Sequence, residues 1–398
     1  MNETKFDTRV AELWTASQRQ MHSLHYVISY RASFKPELPD YFIKKYSNPG
    51  EIIFDPFSGR GTTALQANLL GRVAFATDVN PLSVKITKAK TTPVSLDSVK
   101  ERLSQLNLGD DQIDTAELTA ELSNVQSDFQ RRFFPFYHPS TFSEIVNLKT
   151  IIKKFPDSIN NFIELLALSR LHGHSDGFFS VYSFPQLSIP PKQQHENNMR
   201  RALVPEYKEL PSRIIKKARL SLRDPLPANF LSLAAQNKIQ VSDSRSLDWI
   251  EGQSVDLIIT SPPFLDKVDY LKDNWISLWF AGIDAASVKE NIGVFSSLDS
   301  WREFIRQSLC EMLRILKPDR RAVIEVGEVT VKNGGKIFLD EIVINEAQTI
   351  NNSKRKFIVE ELLINQQQFT KLSNCFNVSN NVKGTNTNRL VILKCVAY

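Results

Sequence analysis

Two short loops contain the residues whose types and spacing best suit chemistry on small ligands. Residues 55–63 read Asp-Pro-Phe-Ser-Gly-Arg-Gly-Thr-Thr, and residues 260–264 read Thr-Ser-Pro-Pro-Phe. Each loop follows a short apolar run, so each is predicted at the carboxyl end of a parallel strand, where open α/β sheets bind their ligands. Two such loops can face one cleft, as the transfer of a small group between two bound molecules requires.

The first loop has the features of a strand-to-helix turn that binds an amino acid moiety. Residues 51–54 predict a short strand, and residues 62–70 predict a helix that ends at Gly71. Glycines in the turn let the backbone approach a ligand closely. Asp55 can accept a hydrogen bond from an ammonium group, while the N–H groups at the helix N-terminus suit a carboxylate. A phosphate-binding loop is the competing interpretation, but the Gly-Lys-Ser/Thr sequence and a third glycine at the dinucleotide spacing are missing.

Asp78 ends the next predicted strand, residues 73–78. An acid at this place commonly binds ribose hydroxyls. Capping of the helix that begins near Asn80 explains the same residue equally well. Both alternatives stay open at the level of sequence.

The rest of the chain continues the alternation of strands and helices that is typical of an α/β fold. Helices are predicted at residues 247–250 and 301–316. The last two predicted strands form an antiparallel pair, which is a common edge on a parallel sheet. Further strands are predicted at residues 239–243, 254–259, 321–327, 357–362 and 389–393.

These segments together resemble the motifs of the S-adenosylmethionine-dependent DNA amino-methyltransferases, which make N4-methylcytosine or N6-methyladenine. Residues 55–63 are similar to motif I of that family, and residues 260–264 are similar to motif IV. Asp78 and Asp243 stand where motifs II and III place an acid. Upstream, residues 33–50 resemble motif X, the segment that helps hold the methionine end of the cofactor.

The resemblance implies a Rossmann-like class I methyltransferase fold with a mostly parallel seven-stranded sheet and a largely helical inserted recognition domain. It also implies S-adenosyl-L-methionine as the cofactor. Asp243 would accept a hydrogen bond from the adenine amino group, although helix capping near Ser246 explains Asp243 equally well. The cofactor-binding residues that the resemblance implies are Lys35, Pro36, Asp55, Phe57, Ser58, Gly59, Gly61, Thr62, Asp78 and Asp243.

The motif IV segment supplies the implied catalytic residues Ser261, Pro262, Pro263 and Phe264. An exocyclic amino nitrogen is a poor nucleophile because its lone pair is conjugated with the ring, so the site must orient it and polarise it. The Ser261 hydroxyl and the Pro262 carbonyl would accept the two amino hydrogens, and Phe264 would stack on the flipped-out base. Serine at the start of this motif is typical of cytosine-N4 enzymes, whereas Asp or Asn is more usual in adenine-N6 enzymes.

A long insertion divides the methyltransferase-like sequence. Residues 1–91 contain motifs X, I and II, residues 92–235 form a helical target-recognition region, and residues 236–398 contain motifs III and IV and the terminal strands. The order is closest to class alpha, although the usual class alpha insertion follows motif III. Residues 97–128 are acidic and helical in pattern, so we expect no DNA contact there. Six basic residues are candidates for DNA phosphates: Lys192, Arg200, Arg201, Arg213, Lys216 and Lys217.

An aromatic segment follows the apolar helix predicted at residues 161–171. Residues 177–191 combine several aromatic side chains with prolines and Lys192, which predicts an extended loop. Such a loop can enter a groove of DNA or support a displaced base. A proline-stiffened packing loop between domains is the alternative.

Several other classes of protein are disfavoured by composition. None of Cys310, Cys375 and Cys395 follows a proline, so the cysteine nucleophile of cytosine ring-carbon methylation is missing; Cys310 and Cys395 are expected to be buried. His172-Gly173-His174 has no further spaced ligands, so we expect no metal. The net charge of +5 is compatible with nucleic acid, and no apolar run reaches membrane-spanning length, so a cytoplasmic protein without a membrane partner is expected.

The leading functional prediction is therefore a cytosine-N4 DNA methyltransferase that acts on duplex DNA, in a restriction-modification setting with a possible cognate endonuclease. An adenine-N6 enzyme is the first alternative. An RNA or protein-glutamine methyltransferase and a noncatalytic DNA-binding module that retained the fold are the others. The sequence predicts neither the recognised DNA sequence nor the oligomeric state.

Overall fold

The architecture is that of a computed structural model of the chain. It describes residues 6–11, 21–30, 33–108, 129–184, 188–263, 270–289, 295, 297–330, 336–350, 354–366 and 387–398. No helix in this part of the chain is long and apolar enough to span a bilayer.

One large, mostly parallel sheet organises the molecule. Its strand order is β1-β9-β10-β6-β5-β2-β3-β4, with β10 antiparallel to both of its neighbours and the other pairs parallel. Two short strands, β7 and β8, form a separate antiparallel pair. The strands are β1 Asp7–Ala11, β2 Ile52–Asp55, β3 Val73–Asp78, β4 Lys238–Val241, β5 Val255–Thr260, β6 Leu316–Val326, β7 Glu328–Thr330, β8 Lys336–Phe338, β9 Arg355–Gln366 and β10 Thr387–Ala397.

Helices cover both faces of the sheet and fill the connection between β3 and β4. The first three helices are α1 Glu37–Tyr46, α2 Thr62–Leu69 and α3 Pro81–Thr91. Between β3 and β4 follow α4 Leu96–Gln105, α5 Pro139–Lys154, α6 Ser158–Leu168, α7 Pro191–Arg201, α8 Leu210–Ser221 and α9 Phe230–Ala234. The remaining helices are α10 Tyr270–Asp273, α11 Trp275–Phe280, α12 Ala285–Lys289, α13 Leu298–Ile315 and α14 Leu339–Thr349.

Three buried apolar clusters hold these layers together. On one face of the sheet, Trp301 of α13 and Val343 of α14 pack with Ile258 and Ile324 of the strands. On the other face, α1 and α2 pack against the alternate side chains of the same strands. The third cluster lies among the inserted helices and includes Phe133, and it extends to α3. Alternation of strand side chains between two covered faces explains why these strands are nearly continuous apolar runs.

The mostly parallel α/β sheet confirms the predicted fold class, with two differences in detail. The sheet has eight strands rather than seven, because β1 pairs in parallel with β9 at the edge. The helix predicted at residues 247–250 is wrong: this segment is a turn in which the Ile250 N–H donates to the Leu247 carbonyl over 2.8 Å. The Arg314 guanidinium donates to the carbonyls of both residues, so a side chain of α13 satisfies the groups that a helix would have paired internally.

The other sequence predictions on strands, helices and cysteines have mixed outcomes. The terminal antiparallel pair is confirmed as β9 and β10, and the apolar helix around residues 161–171 corresponds to α6. Cys395 is buried in β10 as predicted, but Cys310 is exposed on α13, so its predicted burial is wrong. Cys375 and most of the acidic segment, beyond residue 108, lie outside the described residues.

Candidate active site

The ends of β2 and β5 are joined by a buried hydrogen bond. The Thr260 hydroxyl donates to Asp55 Oδ1 over 2.6 Å, and the Phe57 N–H donates to the same oxygen over 3.1 Å. Asp55 is 1% exposed, and this burial raises the pKa of its carboxyl to about 6. Asp55 therefore connects the two sequence loops from behind rather than lining the space between them.

The glycine loop after β2 takes a shape that requires its glycines. Gly59 and Gly61 have φ angles of +49° and +72°, in the left-handed region that favours glycine. A Cβ on Gly61 would lie 2.8 Å from Thr87 Oγ1 of α3, so this glycine permits close packing of the loop on that helix. Gly59 instead lines the cleft in front of the loop. The two glycines thus face different partners.

Asp78, at the end of β3, binds the glycine loop and begins the following helix. Its Oδ2 accepts the Gly59 N–H over 2.9 Å, and its Oδ1 accepts the Asn80 N–H, also over 2.9 Å. Asn80 in turn caps α3 by accepting the Leu82 N–H over 3.0 Å. Burial raises the pKa of Asp78, against the effect of these hydrogen bonds. The carboxylate still lines the cleft, so its structural role and a ligand contact are compatible.

The proline loop after β5 is held from below by a buried tryptophan. The Trp301 Nε1–H donates to the Pro263 carbonyl over 2.8 Å, and Trp301 is 0% exposed. Ser261, Pro262 and Pro263 all line the cleft opposite the glycine loop. Phe264, the fourth predicted catalytic residue, lies outside the described residues.

The cleft between the two loops contains about 990 Å³ of empty space, including its open mouth. An aromatic wall closes one side, where the ring centroid of Phe304 lies 5.6 Å from that of Phe57 and 4.7 Å from that of Phe295. The predicted site residues that line the cleft are Phe57, Ser58, Gly59, Thr62, Asp78, Asp243, Ser261, Pro262 and Pro263.

Asp243 lines the cleft and forms an ion pair with Arg245, a residue that the sequence analysis did not select. Its carboxylate is held by Arg245, whose Nη2 donates to Oδ2 over 2.6 Å and whose Nε donates to both oxygens over 3.0 Å. Burial raises the pKa of Asp243, but the hydrogen bonds and charge of Arg245 hold it below its usual value. The Arg245 guanidinium also lies 5.7 Å from the centroid of the Phe304 ring.

The motif X segment contributes different residues from those expected. Lys35 and Pro36 are not among the lining residues; their carbonyls accept the first backbone hydrogen bonds of α1, from Leu38 and Asp40. The two preceding residues, Ser33 and Phe34, line the cleft instead. The other lining residues that the sequence analysis did not select are Tyr30, Pro56, Val79, Asn80, Ser244, Arg245, Phe295 and Phe304.

Tyr30 closes the cleft on the side of the inserted helices. Its hydroxyl accepts hydrogen bonds from Asn80 Nδ2 over 3.2 Å and from Ser83 Oγ over 3.1 Å. The Arg60 guanidinium donates to the Phe34 carbonyl over 3.1 Å, which ties the glycine loop to the segment around Tyr30. Tyr30 is a single tyrosine upstream of the glycine loop, so no motif in the sequence marks it as a residue of the cleft.

A family model described as DNA methylase, for N6 and N4 amino-methyltransferases, matches residues 2–89 and 255–390, more than half of the chain. The chain belongs to this DNA methylase family. The matched segments carry both loops of the cleft, whereas α4–α9 and β4 lie between them. The resemblance seen in the motifs is thereby confirmed at the level of the family.

Curated relatives are type II methyltransferases. M.BsoBI of Geobacillus stearothermophilus is 23% identical over 313 residues, which cover 73% of this chain and 58% of the relative. M.MjaII of Methanocaldococcus jannaschii is 29% identical over 132 residues, 31% of this chain and 24% of the relative. M.MvaI of Kocuria varians is 33% identical over 140 residues, 34% of this chain and 29% of the relative. The chain thus spans between about a quarter and about three fifths of the length of these relatives.

S-adenosylmethionine is the cofactor of this methyltransferase family, and the cleft has groups that fit it. Ser58 Oγ is buried at the cleft and has no hydrogen-bond partner among the described residues, so it can donate to a carboxylate. The rings of Phe57 and Phe304 offer an apolar wall for a purine, and Asp78 offers an acceptor for hydroxyl groups. Among the described residues, no group of three or more His, Cys, Asp or Glu side chains could hold a metal ion.

The six basic residues predicted to contact DNA lie on two inserted helices. Lys192, Arg200 and Arg201 are exposed on α7. On α8, Lys216 is exposed, and Arg213 donates to Asp176 Oδ1 over 3.2 Å. These positions stay predictions of DNA contact.

Proposed function

We propose that the protein moves the methyl group of S-adenosylmethionine to the exocyclic N4 amino group of a cytosine flipped out of duplex DNA. The observation that carries this proposal is the meeting of the glycine loop and the Ser261-Pro262-Pro263 loop in one cleft. Membership of the DNA methylase family supports DNA as the acceptor. The type II relatives support a restriction-modification setting with a cognate endonuclease.

The glycine-loop side of the cleft would bind the cofactor. S-adenosylmethionine supplies an electrophilic methyl group on a sulfonium centre. Ser58 Oγ would donate to the amino acid carboxylate, and Asp78 would accept from the ribose while it keeps Gly59 in place. Phe57 and Phe304 would form an apolar wall against the adenine, and Asp243 would accept a hydrogen bond from the adenine amino group. Asp55 would act as a positioning residue, because it lies behind the loop.

The proline-loop side would bind and activate the target amino group. Ser261 Oγ and the Pro262 carbonyl would each accept one amino hydrogen, which draws the nitrogen toward a tetrahedral geometry and frees its lone pair. The bound cofactor would supply the methyl group and leave as the thioether, and the methylated nitrogen, held by Ser261 and the Pro262 carbonyl, would release one proton to solvent. Phe264 would stack on the base.

Rigidity of the proline loop, which would accept the amino hydrogens, supports this mechanism. Pro263 is held by the Trp301 indole, and Thr260 is held by Asp55, so Ser261 lies between two fixed residues. A preorganised acceptor needs little rearrangement at the moment of reaction, and misplacement by about 1 Å can cost two orders of magnitude in rate. The loop is therefore suited to orienting one amino group.

Serine at position 261 favours cytosine N4 over adenine N6 within the proposed class. The family includes both kinds of enzyme, so adenine N6 is the second candidate. Modification of RNA or of a protein glutamine is disfavoured, because the matched family is one of DNA methylases.

The proposal is tested by giving the purified protein tritium-labelled cofactor with duplex DNA, RNA or a glutamine-containing protein as separate acceptors. We expect label in DNA and none above background in the other two. Ser261→Ala is the control for enzyme-dependent transfer, since it removes one proposed acceptor and leaves the rest of the cleft. Transfer to RNA or protein and not to DNA would overturn the proposal.

A further inference from the structure

A second cavity adjoins the proposed catalytic cleft on the side of the inserted helices. It contains about 970 Å³ of empty space, including its mouth, and Tyr30 lines both spaces. Its walls come from residues 26–30, α3, the segment that follows α6, and the start of α11. Lys217 of α8 completes the wall. The basic lining residues, Arg170, His172, His174 and Lys217, all come from the part of the chain between the two segments of the family match, whereas residues 26–30, α3 and the start of α11 lie within those segments.

The second cavity is lined by more basic than acidic side chains. Arg170, His172, His174 and Lys217 line it, and Asp273 is the acidic member among the described lining residues. His172 Nδ1 is buried and has no hydrogen-bond partner in the described part of the chain. Burial lowers the pKa of His172 to about 4, so its ring is neutral near pH 7 and can still donate or accept a hydrogen bond. This lining suits a phosphate group.

The basic side chains are held in place by the surrounding structure. The Arg170 guanidinium lies 4.2 Å from the centroid of the Phe178 ring, and Lys217 Nζ donates to the Tyr26 carbonyl over 3.1 Å. Phe178 packs on Gly173, where an added Cβ would lie 2.4 Å from the ring. A cavity whose charged groups are fixed by packing loses little entropy when a ligand binds.

An aromatic rim continues from the mouth of this cavity to the surface. The His174 ring lies within 6.5 Å, between centroids, of the rings of Phe178, Tyr182 and Phe184. Tyr182 is 36% exposed and Phe184 is 44% exposed. The Arg201 guanidinium of α7 lies 4.7 Å from the centroid of Tyr182. Exposed rings beside cations form the surface on which nucleic acid bases stack.

We propose that the second cavity and its aromatic rim bind one nucleotide unit of the DNA strand, outside the catalytic cleft. The phosphate enters the cavity beside Arg170 and Lys217, and the base stacks on Tyr182 and Phe184. This inference rests on the proposed function, because it takes DNA as the acceptor. The shared wall at Tyr30 places the bound nucleotide next to the nucleotide that is methylated.

The test compares Lys217→Met and Tyr182→Ala with matched surface controls. Lys153→Met, at an exposed lysine of α5, is the control for Lys217→Met. Phe155→Ala is the control for Tyr182→Ala, because Phe155 is also an exposed ring beside a cation, with Lys154 Nζ 5.7 Å from its centroid. Affinity for a mixed-sequence duplex is measured by fluorescence anisotropy over a salt series, and cofactor affinity is measured by calorimetry. Tyr182→Ala is a surface change that should leave folding intact.

We expect each cavity or rim variant to weaken duplex binding about tenfold, as loss of one phosphate contact or one stacked base predicts. Lys217→Met should also lower the slope of log affinity against log salt by about 0.9, whereas Tyr182→Ala should leave the slope unchanged. The two controls should match the wild type, and cofactor affinity should be unchanged throughout.

Three results would overturn the inference, and they differ from one another. A wild type that binds and methylates DNA, with variants no weaker than their controls, overturns this inference and leaves the proposed function standing. Binding of inorganic phosphate that is lost in Lys217→Met, with duplex affinity unchanged, assigns the cavity to a free anion. A wild type that binds no DNA overturns the proposed function and this inference with it.

Discussion

The catalytic cleft and the second cavity differ in the sign of most of the charged side chains that shape them. Around the cleft, the carboxylate of Asp55 behind the loops and that of Asp78 in the lining accept hydrogen bonds from the protein's own hydroxyl and backbone N–H groups, which fixes the loops. In the second cavity, Arg170 and Lys217 line a space that suits an anion from outside the protein. The proposed transfer chemistry thus depends on loops that are ordered by carboxylates, whereas the proposed DNA contact depends on half-buried cations that neighbouring residues hold at the wall of a cavity.

The largest effect should come from the proposed acceptor of the amino hydrogen. Ser261→Ala should lower the rate of methyl transfer by about 10²-fold, because one preorganised polar contact to the reacting group is lost. Duplex and cofactor affinities should be nearly unchanged. Single-turnover transfer of labelled methyl measures the effect, with Ser104→Ala, an exposed serine of α4, as the control. If Ser261→Ala weakens duplex binding as much as Lys217→Met does, the proposed division of roles between the cleft and the second cavity is contradicted.

The packing of the glycine loop can be separated from its backbone shape. Gly61→Ala should cost about 2 kcal/mol or more of unfolding free energy, because both a positive φ and the contact with Thr87 oppose a Cβ. Gly71 has a φ of +81° and its added Cβ would meet nothing closer than 3.7 Å. Gly71→Ala is therefore the control for φ alone, with an expected cost of about 1 kcal/mol. Denaturant unfolding measures both.

Cofactor affinity provides a second measurement that distinguishes Gly61→Ala from Gly71→Ala. Gly61→Ala should weaken cofactor binding, because the loop must move away from α3, while Gly71→Ala should leave that binding unchanged. Equal cofactor affinities in the two variants would show that the close packing of Gly61 does not shape the cleft.

The tryptophan under the proline loop offers a smaller test. Trp301→Phe keeps an aromatic ring but removes the hydrogen bond to the Pro263 carbonyl, so it should cost about 1 kcal/mol of stability and slow transfer about tenfold. Trp249→Phe is a matched control, since Trp249 Nε1 is buried without a hydrogen-bond partner among the described residues. If both variants slow transfer equally, the hydrogen bond to Pro263 does not position the loop.

The smallest effect concerns the pH dependence of stability. Burial raises the pKa of folded Asp55 to about 6, above its unfolded value, so its contribution favours the folded state at low pH and is lost as pH rises through about 6. Asp55→Asn keeps an acceptor oxygen and no longer titrates. The variant should therefore lose less stability than the wild type between about pH 4 and pH 7, as thermal unfolding in a pH series would measure. Parallel curves for the two proteins would contradict this assignment.

The sequence predicted the cleft better than the surroundings that complete it. Gly59, Asp78 and Ser261 lie in loops at strand ends, where local sequence determines both structure and position, and all three line the cleft. Tyr30 and Phe304 reach the cleft from distant parts of the chain, so no local pattern marks them. Lys35 and Pro36 lie outside the cleft lining and Ser33 and Phe34 lie within it, because the carbonyls of Lys35 and Pro36 are engaged in the first turn of α1.

In the region between β3 and β4, the sequence identified the basic residues but not the direction in which each side chain points. The basic residues of α7 and α8 were visible in the sequence, but only the fold separates Lys217, which lines the second cavity, from Lys216, which is exposed beside it. Helical spacing sends adjacent side chains in different directions, and the partners on each side come from distant segments. The aromatic loop was predicted as extended, and its Tyr182 and Phe184 form part of the rim.

The central claim is methyl transfer to cytosine N4 of DNA, and its most direct test is the identity of the modified base. The purified protein is incubated with labelled S-adenosylmethionine and mixed-sequence duplex DNA, and the DNA is then digested to nucleosides and analysed by mass spectrometry. The account predicts N4-methyldeoxycytidine in the wild-type reaction and its loss in Ser261→Ala. N6-methyldeoxyadenosine as the labelled product would contradict it.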